Sequence, residues 1–352
     1  MKNIYNYTIE ELEETLINDG MKKYRASQIF EWIYRKGVKS FSDMTNIGKE
    51  SIAYFDENYE IKELEIEKIQ NSNDGTRKFL FKLNDGNFIE TVLMTHSYGY
   101  SVCVSSQVGC NMACKFCASG LHKKERNLEV FEMVLQVKQI SDILKDEGLR
   151  LSHVVVMGIG EPFDNYDNLI KFLKIINYSK GLEIGSRHIT VSTSGLVPRI
   201  LDFALFPLQV NLAISLHFPN DELRSEYMPI NKRYNLGELI PALNEYYAIT
   251  SRRITFEYIL IDGVNDTSSC AYELINLIRG MNCYINLIPM NSVNEELRRS
   301  GEKNSQKFFN ILHENGINVT LRREYGGDID AACGQLRIKT MKEKGHNGRI
   351  NN

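Results

Sequence analysis

The chain has 352 residues, enough for one large core with a smaller unit beside it. Apolar residues make up 43% and charged residues 25%, and neither a run of about 18 apolar residues nor a signal-peptide core occurs, so the reading is a cytosolic globular protein with no membrane partner. With 42 Lys and Arg against 45 Asp and Glu the net charge is −3, which excludes a polycation and confines any nucleic-acid contact to local patches.

Residues 8–60 read as short helices. Thr8 followed by Glu11 fits a capping box, and Tyr24, Ile29, Phe30, Ile33 and Tyr34 recur at helical spacing. Phe41, Met44 and Ile47 suggest a further short helix. The same stretch carries Lys22, Lys23, Arg25, Arg35, Lys36 and Lys39, either a solvated helix face or a patch for phosphates. Residues 61–95 predict a connecting β-hairpin, with Arg77–Lys82 and Phe88–Met94 flanking Asn84-Asp85-Gly86. From residue 96 the pattern alternates between apolar strands and amphipathic helices. Strands are predicted at 100–107, 152–158, 187–193, 208–216, 253–261, 283–289 and 317–323, with helices at 129–147, 165–179, 196–206, 236–249, 267–280 and 303–315. Repeated βα units imply a parallel sheet, and this number suits an incomplete (β/α)6 barrel over residues 96–340. Residues 341–352 read as a basic tail. The α/β core, the helical front of residues 1–60 and the hairpin are thus three units in one chain.

Seven cysteines in a chain of this kind point to reduced thiols serving metal or catalysis. Three fall in one loop, Gly109-Cys110-Asn111-Met112-Ala113-Cys114-Lys115-Phe116-Cys117. Three thiolates in so short a loop bind three irons of a 4Fe-4S cube and leave the fourth iron open. A structural zinc site wants a fourth ligand, and His122 follows too closely to close a tetrahedron. Ligands of α/β folds gather at the carboxyl ends of the strands. There the chain places Gly158-Ile159-Gly160-Glu161-Pro162, Ser192-Thr193-Ser194-Gly195, Ser215-Leu216-His217 and Pro289-Met290-Asn291. Each alone is a weak signal: a βα turn needing glycine, a helix cap, a packed histidine. Near the end stands Asp328-Ile329-Asp330-Ala331-Ala332-Cys333-Gly334-Gln335-Leu336, where small neighbours let another molecule reach the sulfur. Cys103 lies on the first barrel strand near the same mouth. Cys270 and Cys283 fall on apolar faces and read as core.

Taken together, these residues resemble the RlmN/Cfr family of radical S-adenosylmethionine (SAM) RNA methyltransferases. The likeness runs from about Tyr24-Arg25-Ala26 to Leu336. It is carried in order and spacing by Cys103-Val104-Ser105-Ser106-Gln107-Val108-Gly109-Cys110, the cysteine loop, Arg126-Asn127-Leu128, Gly160-Glu161-Pro162, Ser215-Leu216-His217, Met228-Pro229-Ile230-Asn231 and Gly263-Val264-Asn265-Asp266. The resemblance implies a 4Fe-4S cluster on Cys110, Cys114 and Cys117, and SAM contacts from Gly160, Glu161, Ser192, Ser215, Leu216, His217 and Asn291. It implies that Cys333 carries a methyl group, that Cys103 resolves the resulting link, and that Glu90 accepts a proton. Two SAM molecules serve each turnover, one as methyl donor and one as radical source. Val108, Pro162 and the Arg25-Ala26-Ser27-Gln28-Ile29-Phe30-Glu31-Trp32 segment resemble the branch that methylates carbon 2 of an adenosine in 23S rRNA and of an adenosine beside the tRNA anticodon. The other branch methylates carbon 8 and confers antibiotic resistance, and a radical-SAM enzyme with a non-RNA substrate is the reading outside the family. The chain departs from the family at Leu121-His122-Lys123-Lys124 and at Ser292. An electron donor such as flavodoxin or ferredoxin and a monomeric state complete the expectations.

The chemistry agrees with those residue types. Carbon 2 of adenine lies between two ring nitrogens and is too electron-poor to attack a SAM methyl group. A cysteine thiolate attacks it readily. A methyl parked on Cys333 is then delivered as a carbon radical, and the thioether formed with the RNA is released by disulfide exchange with Cys103, a transient cytosolic disulfide.

Overall fold

The computed structural model describes residues 1–290, 297–322, 325–329, 336–337 and 339–340. Cys333, Asn291, Ser292 and the basic tail lie outside the described residues.

The helical front begins with α1 (Ile9–Asn18), whose capping box is present: Thr8 Oγ1 accepts the Glu11 N–H and Glu11 accepts the Thr8 N–H. In α2 (Tyr24–Phe30) the residue spacing holds for two turns. The chain then widens into a π-turn over Glu31–Lys36 that buries Trp32, Ile33 and Tyr34 and ends at left-handed Gly37, φ 70°. α3 (Lys49–Asn58) completes the unit. Its apolar side shares one continuous core with the rest of the chain. The Asn6 carboxamide accepts the Phe131 N–H at 2.9 Å, and Gln139 bonds both the N–H and the carbonyl of Leu64 at 3.0 Å. The front is therefore packed onto the helix that follows the cysteine loop.

Among the described residues ten strands form one sheet: β1 (Glu65–Asn71), β2 (Arg77–Lys82), β3 (Phe88–His96), β4 (Gly99–Cys103), β5 (Leu151–Val156), β6 (Ile189–Thr193), β7 (Asn211–Ser215), β8 (Ile254–Leu260), β9 (Cys283–Pro289) and β10 (Val319–Leu321). They lie side by side in sequence order. β4 to β10 are parallel, and β1 to β4 pair antiparallel. Crossovers run through α4 (Val130–Asp146), α5 (Tyr166–Asn177), α6 (Val197–Ala204), α8 (Leu236–Thr250), α9 (Ser268–Leu277) and α10 (Glu302–Glu314). A short α7 (Asp221–Tyr227) is added after β7. Among the described residues, six βα units on seven parallel strands form an α/β fold whose sheet stays open, with β10 and β1 as its edges. The hairpin expected before the barrel has a third strand, β1. That strand is exposed along most of its length and bulged between Ile66 and Lys68, which breaks the alternation that marks a strand in sequence. Among the described residues no helix is long and apolar enough to cross a membrane.

Strand ends are tied to one another by buried polar side chains. Asn265, fully buried, accepts the Ile261 N–H at 2.8 Å and donates to His217 O at 2.7 Å and Ile259 O at 2.6 Å. It holds the end of β8 against the turn that follows β7. Asn265→Ala strands one donor and two acceptors, and a loss of about 2–4 kcal/mol is expected, read as a lowered urea midpoint of the apoprotein.

Candidate active site

Beyond β4 the chain makes a short antiparallel pairing, Gln107–Val108 with Arg126–Asn127, and the cysteine loop is the excursion between its two strands. The loop is held by backbone. Cys110 N donates to His122 O at 3.1 Å, Cys117 N to Cys114 O at 3.1 Å and Gly120 N to Cys117 O at 3.0 Å. Gly109 has φ 79°, and a Cβ there would lie 2.3 Å from Lys123 O, so no other residue fits. Ala113 also takes a left-handed conformation, φ 52°. Burial pushes the Cys110 thiol up to about 12; Cys117 adds to the rise, while the Met112 N–H pulls the other way. Cys114 is driven well above the usual thiol range by burial, then by Cys117 and Cys110. Cys110 and Cys114, whose charged forms are disfavoured by burial and by neighbouring thiols, suit a ligand that itself stabilises thiolates. Among the described residues, no three Cys, His, Asp or Glu side chains converge as ligands of a single ion do. A cubane asks for something else, because each thiolate takes its own iron.

Four strand ends face this loop. After β5, Gly160 has φ 110°, and a Cβ there would lie 2.6 Å from Gln107 Cβ and 2.8 Å from Ser106 Oγ. The backbone is thereby pressed against the strand that leads into the cysteine loop. Glu161, 3% exposed, accepts the Phe163 N–H at 3.0 Å and the Ser194 N–H at 2.7 Å. Burial still lifts its carboxyl above the usual range. Such a group accommodates an ammonium partner. Ser192, ending β6, and Ser215, ending β7, bring their hydroxyl oxygens to 3.3 Å. Leu216 is fully buried, and His217 follows it at φ 59°. The His217 ring accepts the Ile259 N–H at Nδ1, 3.1 Å away, and burial, with Arg224 assisting, lowers it to about 3. It is therefore a neutral imidazole with its proton on Nε2. The Phe116 ring meets it edge-on at 4.9 Å, joining the cysteine loop to the end of β7. Buried Ser106 Oγ, beside Gly160, has no partner among the described residues. The residues present thus fit both a cluster and a polar cofactor laid over the strand ends.

Glu90 and Cys103 share one face of β3 and β4. Cys103 pairs with Val92, and Glu90 lies two residues away on the same strand. Glu90 is 2% exposed. Its Oε2 receives the Lys78 ammonium at 2.8 Å, and its Oε1 accepts the Arg337 N–H at 2.5 Å. Burial holds the Cys103 thiol up near 11; the Arg322 cation lowers it in part. Asn291 and Cys333 lie outside the described residues; described residues on either side of Cys333 in sequence are anchored. Upstream, Asp328 accepts the Asn73 N–H at 3.0 Å and its amide at 2.7 Å. Downstream, Leu336 is buried on Leu80 and Phe88.

Three residues at this mouth escape a sequence reading. Arg224 is fully buried and donates to Ser194 O at 2.6 Å, Asn231 Oδ1 at 2.8 Å and Leu216 O at 3.3 Å. Gln107 accepts the Glu161 N–H at 2.9 Å, and Lys78 has no exposed surface. Arg224 carries no sequence signal. Lys78 carries one, a cation in the apolar run Arg77-Lys78-Phe79-Leu80-Phe81, two positions from Leu80 and hence on its face. Among the basic front residues, Lys23, Arg35 and Lys39 are ion-paired to Glu13, Glu183 and Glu63, and Lys36 lies over the Trp32 ring at 3.5 Å.

Residues 104–275 match the radical SAM superfamily, and residues 2–61 match the ribosomal RNA large subunit methyltransferase N-terminal domain. A probable dual-specificity RNA methyltransferase RlmN from Spiroplasma citri is 56% identical, with 96% of this chain and 98% of that protein covered. Its namesake from Listeria welshimeri is 53% identical, with 99% and 96% covered. The crystal structure of a radical SAM methyltransferase from Sphaerobacter thermophilus superposes with a TM-score of 0.90 at 45% identity, covering 95% of this chain and 99% of that one.

Gly160→Ala forces a Cβ into Gln107 and a side chain into a left-handed backbone. A loss of about 1–3 kcal/mol is expected. SAM affinity should fall with it, measured by equilibrium binding to the cluster-loaded protein.

Proposed function

The chain belongs to the RlmN family of radical-SAM RNA methyltransferases, and within that membership we propose that it methylates carbon 2 of an adenosine in 23S rRNA and of the adenosine 3′ of the anticodon in tRNA. The enzyme is SAM-dependent and carries a 4Fe-4S cluster. The observations that support the proposal are the contact of Phe116 in the cysteine loop with His217 at the polar strand ends, and the buried strand face that Glu90 shares with Cys103. Val108 and Pro162 support carbon 2 over carbon 8. The protein would act in the cytoplasm as a monomer fed by flavodoxin or ferredoxin.

Cys110, Cys114 and Cys117 would hold the cluster, while Gly160, Glu161, Ser192, Ser215, Leu216, His217 and Asn291 would hold SAM. When bound, these groups supply the methyl group and the hydrogen-abstracting radical. The chain's own residues supply the rest. Glu161, buried and anionic when it meets a cation, orients an ammonium. Neutral His217 offers one N–H without adding charge. Cys333 carries the methyl group and becomes joined to the adenine through it. Glu90 takes the proton from the adenine carbon, and Cys103 attacks the Cys333 sulfur to free the methylated base. The adenine must leave its stack, at roughly a few kcal/mol. The helical front would bear on the RNA, with exposed Lys22 and half-buried Arg25 among its cations.

Mass spectrometry of nucleosides from RNA treated anaerobically with protein, SAM and reductant should give 2-methyladenosine. An 8-methyl product would assign the other branch. Replacing Cys110, Cys114 or Cys117 with Ala should remove the brown chromophore and SAM cleavage together.

The two remaining cysteines should fail differently. Cys333→Ala keeps the cluster but gives neither methyl transfer nor adduct. Cys103→Ala allows addition but not release, so a protein–RNA crosslink should accumulate that survives denaturation and disappears with ribonuclease. Normal turnover of Cys103→Ala with no crosslink on a denaturing gel would remove the resolving role.

A further inference from the structure

Lys78, on β2, has no exposed surface, and its ammonium lies 2.8 Å from a carboxylate that is itself 2% exposed. The register explains the meeting. Lys78 pairs with Val92, and Val92 pairs with Cys103, so all three share one face across β2, β3 and β4. Glu90, two residues before Val92, is on that face too, diagonal to Lys78. The second carboxylate oxygen accepts the Arg337 N–H. Two fixed donors therefore set both the direction and the plane of the Glu90 carboxylate.

As a structural tie this pair is poorly chosen. A buried ion pair stabilises a fold no better than apolar residues of the same size, and often less well. Phe79, Leu80, Phe81 and Ile89, all buried, already supply an apolar core here. What an ion pair does and an apolar pair cannot is keep a carboxylate charged out of water, since a buried carboxylate without a cation takes up a proton.

We propose that Lys78 is a positioning residue for proton transfer: its ammonium keeps Glu90 anionic and aimed at the adenine carbon that gives up its proton. This rests on the reading of Glu90 as proton acceptor. In the step, the C–H bond breaks, its electron pair stays with the ring, and the proton forms an O–H bond on Glu90. Lys78 gains and loses nothing. The balance around Lys78 shifts from a neutral ion pair to a single cation, which returns to neutral when Glu90 passes its proton on.

The test compares full-length, cluster-loaded wild type with Glu90→Gln, Lys78→Met and the double variant, each given SAM, reductant and an rRNA fragment without oxygen. Lys78→Met should keep iron content and SAM cleavage within about twofold, lose methylated product by about tenfold or more, and accumulate a ribonuclease-sensitive adduct. The double variant should be no worse than Glu90→Gln alone, because the two residues act as one unit. Turnover of Lys78→Met within about twofold of wild type, or losses that multiply in the double variant, overturns the proposal. If Glu90→Gln itself turns over normally, the reading of Glu90 fails and the proposal falls with it. An arrested Glu90→Gln beside an active Lys78→Met sinks the proposal alone. Should Lys78→Met not fold, Lys78→Arg decides, since it keeps the charge but moves it onto a longer planar head. Adduct accumulation at unchanged iron content upholds positioning, and normal turnover overturns it.

Discussion

A guanidinium removed from water is the hub on which the strand-end site depends. Arg224 has acceptors on three separate segments: the turn after β6, the turn after β7, and Asn231 beyond α7. Burial lowers it to about 10, against the attraction of Cys114 and Asp221. A cation this buried survives because backbone carbonyls are turned toward it, and in turning they fix where Ser194 and Leu216 lie. Ser194 in turn donates its N–H to Glu161. The ends of β5, β6 and β7 are thus linked through one residue, and the cysteine loop feels its charge at Cys114. Shape and electrostatics at this mouth are the same property.

The antiparallel strands add a second wall with its own rules. The β1–β2 turn and the chain before Cys333 clasp each other: Asp328 takes bonds from Ser72 and Asn73, and Asp74 accepts the Gly326 N–H at 2.7 Å. Beyond Cys333, Leu336 and Arg337 return to β2 and β3. The described residues before Cys333 are therefore tied to the β1–β2 turn, and those after it to the strands that carry Lys78 and Glu90.

Much of this was legible in sequence, for a physical reason. Parallel strands buried on both faces read as continuous apolar runs, and their helices read at 3.6 periodicity. All seven parallel strands and the six crossover helices accordingly fall where the pattern puts them. β1 is hidden because Glu65-Ile66-Glu67-Lys68-Ile69-Gln70-Asn71 is mostly solvated, and its bulge shifts the phase. The π-turn at Glu31–Lys36 is hidden because widening one turn leaves the helical spacing almost intact. Arg224 and Lys78 are hidden because a charged residue is read as surface unless its partner is known, and both partners are distant in sequence or lie on the next strand. The basic front shows the converse. Counting its cations overstates its positive field, since Lys23, Arg35 and Lys39 each have a carboxylate of this chain beside them.

A mouth this dry restricts proton movement as strongly as it restricts shape. His217, held near 3, has no proton to spare, and Cys103, held near 11, is a neutral thiol at rest. Glu161 is engaged by two backbone N–H groups. For the radical addition proposed above, the adenine carbon must lose a proton before the ring regains its conjugation, and a closed site leaves no bulk water to take it. The acceptor must then be a residue that is charged without being hydrated. A carboxylate between a buried ammonium and a backbone N–H meets both conditions, and it stands on the same face as Cys103, the thiol proposed to act next. The same pair acts on Cys103, after burial and the Arg322 cation: Lys78 lowers that thiol and Glu90 raises it. In the proposed sequence, proton uptake by Glu90 would leave only the lowering influence of this pair, and so would favour the Cys103 thiolate proposed to attack Cys333.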